Sequence, residues 1–358
     1  MNRQTKNLQR SAASALLWPF TVPYRIAAHF KNCAYDRRWL QPRKLSWPVI
    51  SVGNLSVGGS GKTPLVLLLA DQLLQRRWNV DVLSRGYGRS GNAVARVDAA
   101  GAPAEFGDEP LLMARHGLSV CVGANRYDAG QLSENEVGEN PRDARKLHIL
   151  DDGFQHRKLA RTVDIVLLQR SDLGGELLPA GRLREPLGGL RRADICVLRA
   201  DDANLSERVL QLMGQHGQTS DSARVWIVER RTTLPVAPAA MHNPLAFCAI
   251  GDPTGFFDGL RCAGLTLQRS IAFRDHHLYT RSDIARLQEA ASRSGANCFV
   301  TTEKDSVRLC LELRSELEKV GRLVIAGLEL RLHEEKHCID GLESLLQERL
   351  QLHPRGVR

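Results

Sequence analysis

Two kinds of stretch alternate along this chain. Short apolar, β-rich runs predict strands at Trp47–Gly53, Asn79–Leu83, Leu118–Val122, Leu147–Leu150, Val163–Leu168 and Asp194–Leu198. Between them, residues 65–77, 109–116 and 124–134 have helical spacing, so the pattern predicts an α/β domain with a mainly parallel sheet. Ligands of such sheets sit beyond the carboxyl ends of the strands. A second alternation follows, with strands at Arg224–Val228, Leu245–Ile250, Asn297–Thr301 and Arg322–Ile325 and a helix at Ser282–Arg293. It predicts a second α/β domain beginning near residue 170. Gln211–Ala223 is the most polar stretch and reads as a solvated loop, and 338–352 reads as a terminal helix. The expected division is an anchoring segment over 1–44, a first domain over 45–170, a second over 171–330 and a C-terminal helical segment over 331–358, for which packing back on the first domain is one reading.

Composition changes this picture only locally. A chain of 358 residues with 43% hydrophobic content can bury two cores. Eight cysteines without a CxxC pair argue against a disulfide scaffold or a zinc ribbon. The net charge of +9 is concentrated in residues 1–44, which hold nine Lys or Arg against the single acid Asp36. A charge confined to one end points away from a nucleic-acid-binding body. Within that segment residues 11–24 are uncharged, contain Trp18, Phe20 and Tyr24, and are interrupted by Pro19 and Pro23. The run is too short and too broken for a comfortable spanning helix, and it reads as a segment lying in a membrane surface. A secretory signal peptide, or docking onto the protein's own core, are the competing readings.

The chemistry centres on Ser56-Val57-Gly58-Gly59-Ser60-Gly61-Lys62-Thr63, between an apolar β-rich run and an apolar helical one. Strand, glycine-rich turn and helix in that order form a phosphate-binding P-loop. The glycines let backbone N–H groups point inward, and the following helix adds the positive end of its dipole. Lys62 is placed to reach the β- and γ-phosphates and Thr63 to offer a hydroxyl to Mg²⁺. The motif's usual first glycine is Ser56 here. A second clue is the apolar run Leu147–Leu150 ending in Asp151-Asp152, since P-loop proteins supply a carboxylate for Mg²⁺ from a neighbouring strand. His333-Glu334-Glu335-Lys336-His337 fits the HExxH zinc pattern, but its polar surroundings favour a solvated charged segment.

Val52–Pro64, Ser84-Arg85-Gly86-Tyr87-Gly88, Gly107-Asp108-Glu109-Pro110, Asp151–His156, Leu178–Pro186, Asp275-His276-His277 and Thr302-Glu303-Lys304-Asp305 occur in the order found in tetraacyldisaccharide 4′-kinases, the lipid A kinases of Gram-negative bacteria, which this chain resembles up to about residue 330. The resemblance implies two Rossmann-like α/β/α domains with the active site between them and an N-terminal membrane-associated helix. It implies transfer of the γ-phosphoryl group of ATP, with Mg²⁺, to the 4′-hydroxyl of a tetraacylated glucosamine disaccharide 1-phosphate at the cytoplasmic face of the inner membrane. The expected partners are this lipid-linked substrate and the membrane surface, with neither nucleic acid nor a protein partner.

Carried over residue by residue, the family's acid–base pair becomes Asp108 and His276. Without the family, Asp108 reads as a helix N-cap and His276 as a loop histidine. Asp151, Asp152, Gln155 and His156 resemble the metal- and nucleotide-side loop, and Arg184 and Glu185 resemble active-site residues. Arg25, with Arg37 and Arg38, suits anionic head groups or the substrate's 1-phosphate. For Glu303-Lys304-Asp305 a capping role and a nucleotide-side role compete evenly. Thr162 and Gln169 stand where the family commonly has Asp. A GTPase switch is disfavoured because the lysine of Thr302-Glu303-Lys304-Asp305 falls one place late for the guanine-reading pattern. A partitioning or metal-insertion ATPase would often have a second lysine where this chain has Val57. A non-catalytic adaptor leaves the paired acids unexplained.

Overall fold

The computed structural model describes residues 12–137, 145–214 and 224–352. The fold is mixed α/β with a large, mostly parallel sheet. The chain forms two compact units, each assembled from separated stretches: residues 1–62, 152–227 and 336–358 in one, 63–151 and 228–335 in the other.

In the first unit the strands Val49–Asn54, Val163–Leu167 and Ile195–Arg199 run parallel, with Ile50 opposite Val163 and Ile165 opposite Ile195. The first two are buried at every position, as expected of parallel strands covered on both faces. Their core includes Leu55, Phe154, Val166, Leu190, Cys196 and Leu198. Gly53 is required by packing, because a Cβ there would lie 2.6 Å from Phe154 Cβ and 2.8 Å from its backbone nitrogen.

Two helices of this unit need separate comment. The first, Ala12–Asp36, runs through Pro19 and Pro23, so the interruption expected from those prolines does not occur. Each proline forfeits one intrahelical hydrogen bond without ending the helix. Residues 1–11 of the basic segment lie outside the described residues, as do residues 215–223 of the expected polar loop. The last helix, Glu335–Leu352, is fastened within this unit by Arg349, which donates to Thr162 O and, at 2.9 Å, to Asp194 Oδ2. The Thr162 hydroxyl accepts from Val49 N at 3.1 Å, at the start of the P-loop strand.

In the second unit, Lys146–Asp151, Asn79–Ser84 and Ser119–Val122 run parallel, and the short strand Ala95–Arg96 closes the edge antiparallel. A second set, Arg269–Ala272, Pro244–Cys248, Cys298–Thr302 and Arg322–Leu332, is also parallel, with Val225–Thr233 pairing antiparallel to the last. Alternate residues of this set enter two cores. Leu245, Phe247, Phe299 and Leu323 pack against Ile284, Leu287 and Leu317, whereas Ala246, Cys248, Val300 and Val324 pack against Phe256, Phe257 and Leu260. The helices are set by their ends: Thr280 and Asp283 form a capping box at the start of Arg281–Ser294, which stops at Gly295 in the left-handed region at φ 66°.

Candidate active site

The P-loop is built as a strand, a loop and a helix that begins at Lys62 (Lys62–Gln75). Gly58 and Gly61 have φ of 110° and 93°, conformations that side chains other than glycine's rarely adopt. The loop is laced to the segment 182–184. Val57 N donates to Arg182 O at 2.8 Å, Arg184 N donates to Leu55 O at 2.7 Å, and Arg182 returns Nε and Nη2 to Val57 O at 3.2 and 2.8 Å. Arg182 lies so close over Gly58 that a Cβ there would meet its Nη2 at 2.2 Å.

Lys62 Nζ donates to Asn54 Oδ1 at 3.3 Å and lies 3.4 Å from Asp152 Oδ1. Asp152 sits in the left-handed region at φ 49°, a conformation that turns its carboxylate toward the lysine at a backbone cost. Arg184 Nη1 donates to both Asp152 oxygens, at 2.9 and 2.7 Å, and to Gln155 Oε1 at 3.3 Å. Burial pushes the Asp152 carboxyl up, but Lys62 and Arg184 outweigh it and hold the group below the usual carboxylate range.

The same network extends to the N-terminal helix. Gln155 Nε2 donates to Asn54 O and to Glu185 Oε1, both at 2.8 Å. Glu185, 3% exposed, also accepts from Arg192 Nη2 at 2.7 Å and Asn32 Nδ2 at 3.3 Å. Tyr24 OH donates to Arg184 O at 2.8 Å and Lys31 Nζ to Gln155 O at 3.1 Å. Arg192 in turn lies over the Phe154 ring at 4.5 Å. The structure thus brings Lys62, Asp152, Gln155, Arg184 and Glu185 into one polar network. Arg25 is exposed on the N-terminal helix, and His156 N donates to Gly153 O at 2.8 Å.

In the second unit Thr63 is buried near the head of the P-loop helix, and Asp151, at the end of strand Lys146–Asp151, accepts from Ser84 Oγ at 2.9 Å. The unit also holds a second constellation. Asp108 is the first residue of helix Asp108–Arg115, whose cap is Gly107, and no side chain makes the capping hydrogen bond. The N-cap reading of Asp108 is therefore corrected. Its Oδ2 accepts from Arg308 Nε at 2.6 Å and lies 3.3 Å from His276 Nδ1. His276 has φ 60°, a second left-handed residue among the candidates, and its ring meets that of Tyr87 edge-on at 5.8 Å. Burial pushes the Asp108 carboxyl up, but the His276 hydrogen bond and the Arg308 charge bring it below the usual range.

Thr302 caps helix Glu303–Arg308 through Asp305 N, so the capping role in this segment belongs to Thr302. Glu303 meets His116 Nε2 at 3.0 Å, Lys304 pairs with Glu109, and Asp305 is buried. The HExxH pattern dissolves, because His333 follows a strand ending at Leu332, Glu334 turns with φ 53°, and the helix starts only at Glu335. Among the described residues no group of three or more His, Cys, Asp or Glu is arranged to hold a metal ion. Asn32, Asn54, Arg182, Arg192 and Arg308 were not expected. Asn54 and Arg182 lie inside motifs quoted above without a role of their own, whereas Asn32, Arg192 and Arg308 are singled out only by partners 153, 7 and 200 residues away.

The family model for tetraacyldisaccharide-1-P 4′-kinase matches residues 13–347. The chain is 40% identical over 339 residues to a tetraacyldisaccharide 4′-kinase of Koribacter versatilis, covering 92% of this chain and 99% of that protein. It is 36% identical to one of Geobacter metallireducens, with 93% and 98% covered. A crystal structure of the "apo" form of LpxK from Aquifex aeolicus in complex with ATP matches at a TM-score of 0.70 and 31% identity, covering 93% of this chain and 99% of that one. With a P-loop, a paired-acid loop and a family match spanning nearly all of its length, the chain belongs to the tetraacyldisaccharide 4′-kinase family.

Proposed function

We propose that the chain transfers the γ-phosphoryl group of ATP to the 4′-hydroxyl of a tetraacylated glucosamine disaccharide 1-phosphate, with Mg²⁺, in lipid A biosynthesis. The observation that carries this reading is Lys62 at the head of the P-loop helix, hydrogen-bonded to Asn54 and paired with Asp152, in a chain of this family. Ser56–Thr63 cradle the nucleotide's phosphates through backbone N–H groups, Lys62 neutralises the γ-phosphate, and Gln155 and His156 serve the nucleotide side of the site.

Thr63, Asp151 and Asp152 would hold the metal. They are hard oxygen donors of the kind Mg²⁺ takes alongside water and phosphate, and Asp151 is already oriented by Ser84. Bound Mg²⁺ supplies charge neutralisation at the phosphate oxygens. Asp108 accepts the proton of the sugar hydroxyl and His276 orients or relays it, while Arg184 and Glu185 shape the site and Arg25 faces anionic groups. With γ-labelled ATP, Mg²⁺ and detergent-dispersed acylated disaccharide, purified protein is expected to place label in the lipid. Label only in free phosphate would assign an ATPase or a switch instead.

The N-terminal helix supports peripheral attachment to the cytoplasmic face of the inner membrane. Thr21, Tyr24, Ala28 and Asn32 lie on the face turned to the protein, whereas Val22, Ile26 and Phe30, spaced four apart, are exposed on another. Phe20 and Trp18 add to the exposed apolar surface. Among the described residues no helix is long and apolar enough to cross a membrane. The double variant Ile26→Glu, Phe30→Glu is expected to stay in the soluble fraction when wild-type protein floats with anionic lipid vesicles. Flotation equal to wild type would assign these side chains another role.

A further inference from the structure

Arg308 ends the short helix Glu303–Arg308, and its side chain is only 1% exposed, a rare location for a guanidinium. On its far side Nη1 donates to Ala249 O at 2.7 Å and lies 3.4 Å from Asp305 Oδ1. Asp305 is itself held by Ala249 N and Tyr279 OH, each at 3.0 Å. The near side of the guanidinium faces the candidate acid–base pair. Nε donates to Asp108 Oδ2 at 2.6 Å, and Nη2 lies 3.2 Å from His276 Nδ1. His276 N also donates to Ala249 O, at 3.2 Å, so a single backbone carbonyl locates both the arginine and the histidine.

A guanidinium is a planar fork that never loses its charge, so it can hold two neighbours at set angles where an ammonium group is only a point charge. We infer that Arg308 is a positioning residue for phosphoryl transfer: it fixes the Asp108 carboxylate and the His276 ring relative to one another and sets a permanent positive charge against that carboxylate. The inference rests on Asp108 being the group that accepts the sugar hydroxyl's proton. The other charged groups around the pair are Glu109, paired with Lys304, and Asp275, whose carboxylate lies 3.9 Å from His276 Nε2. Asp305 lies on the opposite side of the guanidinium. Burial raises the Asp108 carboxyl, and the His276 hydrogen bond and the Arg308 guanidinium bring it down.

The test compares full-length Arg308→Gln, Arg308→Lys and Asp108→Asn with wild type, after thermal unfolding and ATP binding have established that each is folded. A base that must be ionised loses activity as pH falls through its pKa, and removing the arginine raises that pKa. Arg308→Gln is therefore expected to lower kcat about 10- to 100-fold and to move the acid limb of the kcat profile up by about one pH unit or more. Arg308→Lys keeps the charge, so its acid limb stays near wild type while kcat recovers only in part. An acid limb unmoved in a folded Arg308→Gln overturns the inference. If that variant does not fold, wild-type kcat in Arg308→Lys overturns it. Wild-type kcat in Asp108→Asn would instead remove the reading on which it rests, whereas an inactive Asp108→Asn with an unmoved limb in Arg308→Gln removes Arg308 alone.

Discussion

Lys62→Ala is expected to lower kcat for phosphoryl transfer by about 10²- to 10³-fold, the loss typical when one preorganised charge is withdrawn from a developing transition state. Negative charge spreads over the γ-phosphoryl oxygens as the bond to the leaving group loosens, and catalysis consists almost entirely of positioning and neutralisation. On the proposed reading Lys62 does that work, and its neighbours fix its position. Its Nζ is held by Asn54 Oδ1 at 3.3 Å and Asp152 Oδ1 at 3.4 Å, with its side chain 11% exposed. Alanine removes the charge and also leaves Asp152 with Arg184 as its remaining partner in this network. Lys62→Arg is expected to rescue little, because a wider planar fork does not fit a place shaped for a point charge beside glycine backbone. Initial rates of label transfer at saturating ATP measure the effect. Turnover within a few-fold of wild type would mean that the loop does not bind the transferred phosphate.

The parts of this site legible in the sequence are those in which pattern and chemistry are local. The P-loop is one contiguous run whose glycines, lysine and flanking apolar stretches all follow from one geometry, and the strand before it is buried at every position. The strand Arg269–Ala272 escaped notice because only Ile271 of its four residues is buried, which leaves no period to detect. Asp108 illustrates a different limit. An aspartate at the start of a helix looks the same whether it caps the helix or faces a distant arginine. Here the choice is made by Arg308, 200 residues further on. Asp152 and His276 both occupy left-handed backbone that favours glycine, and nothing in their neighbours announces it. The N-terminal segment was legible as a basic stretch holding an uncharged, aromatic-bearing run, yet not as a continuous helix. Prolines at 19 and 23 lie on the exposed side of the helix and do not end it.

Asp108→Asn is expected to lower kcat about 10²- to 10⁴-fold, the range for removing a positioned proton acceptor, while KM for ATP changes little. Asparagine keeps the shape of the side chain, and its carbonyl oxygen can still accept from Arg308 Nε, so the variant isolates the ability to take a proton from the ability to fill the site. The carboxyl is held below its usual range, which makes it a weak base. Weakness suits a reaction in which the bond to the leaving group breaks ahead of the bond to the nucleophile, because the sugar hydroxyl becomes strongly acidic only late, when a carboxylate suffices. On that account Asp108→Ala, which also strands Arg308 without its 2.6 Å partner, should lose at least as much as Asp108→Asn. Titrating both variants with ATP at saturating lipid acceptor separates kcat from KM. An equal loss of kcat in both assigns the defect to the missing proton acceptor, whereas near-wild-type kcat in Asp108→Asn would leave the carboxylate only the task of holding His276 and Arg308 in place.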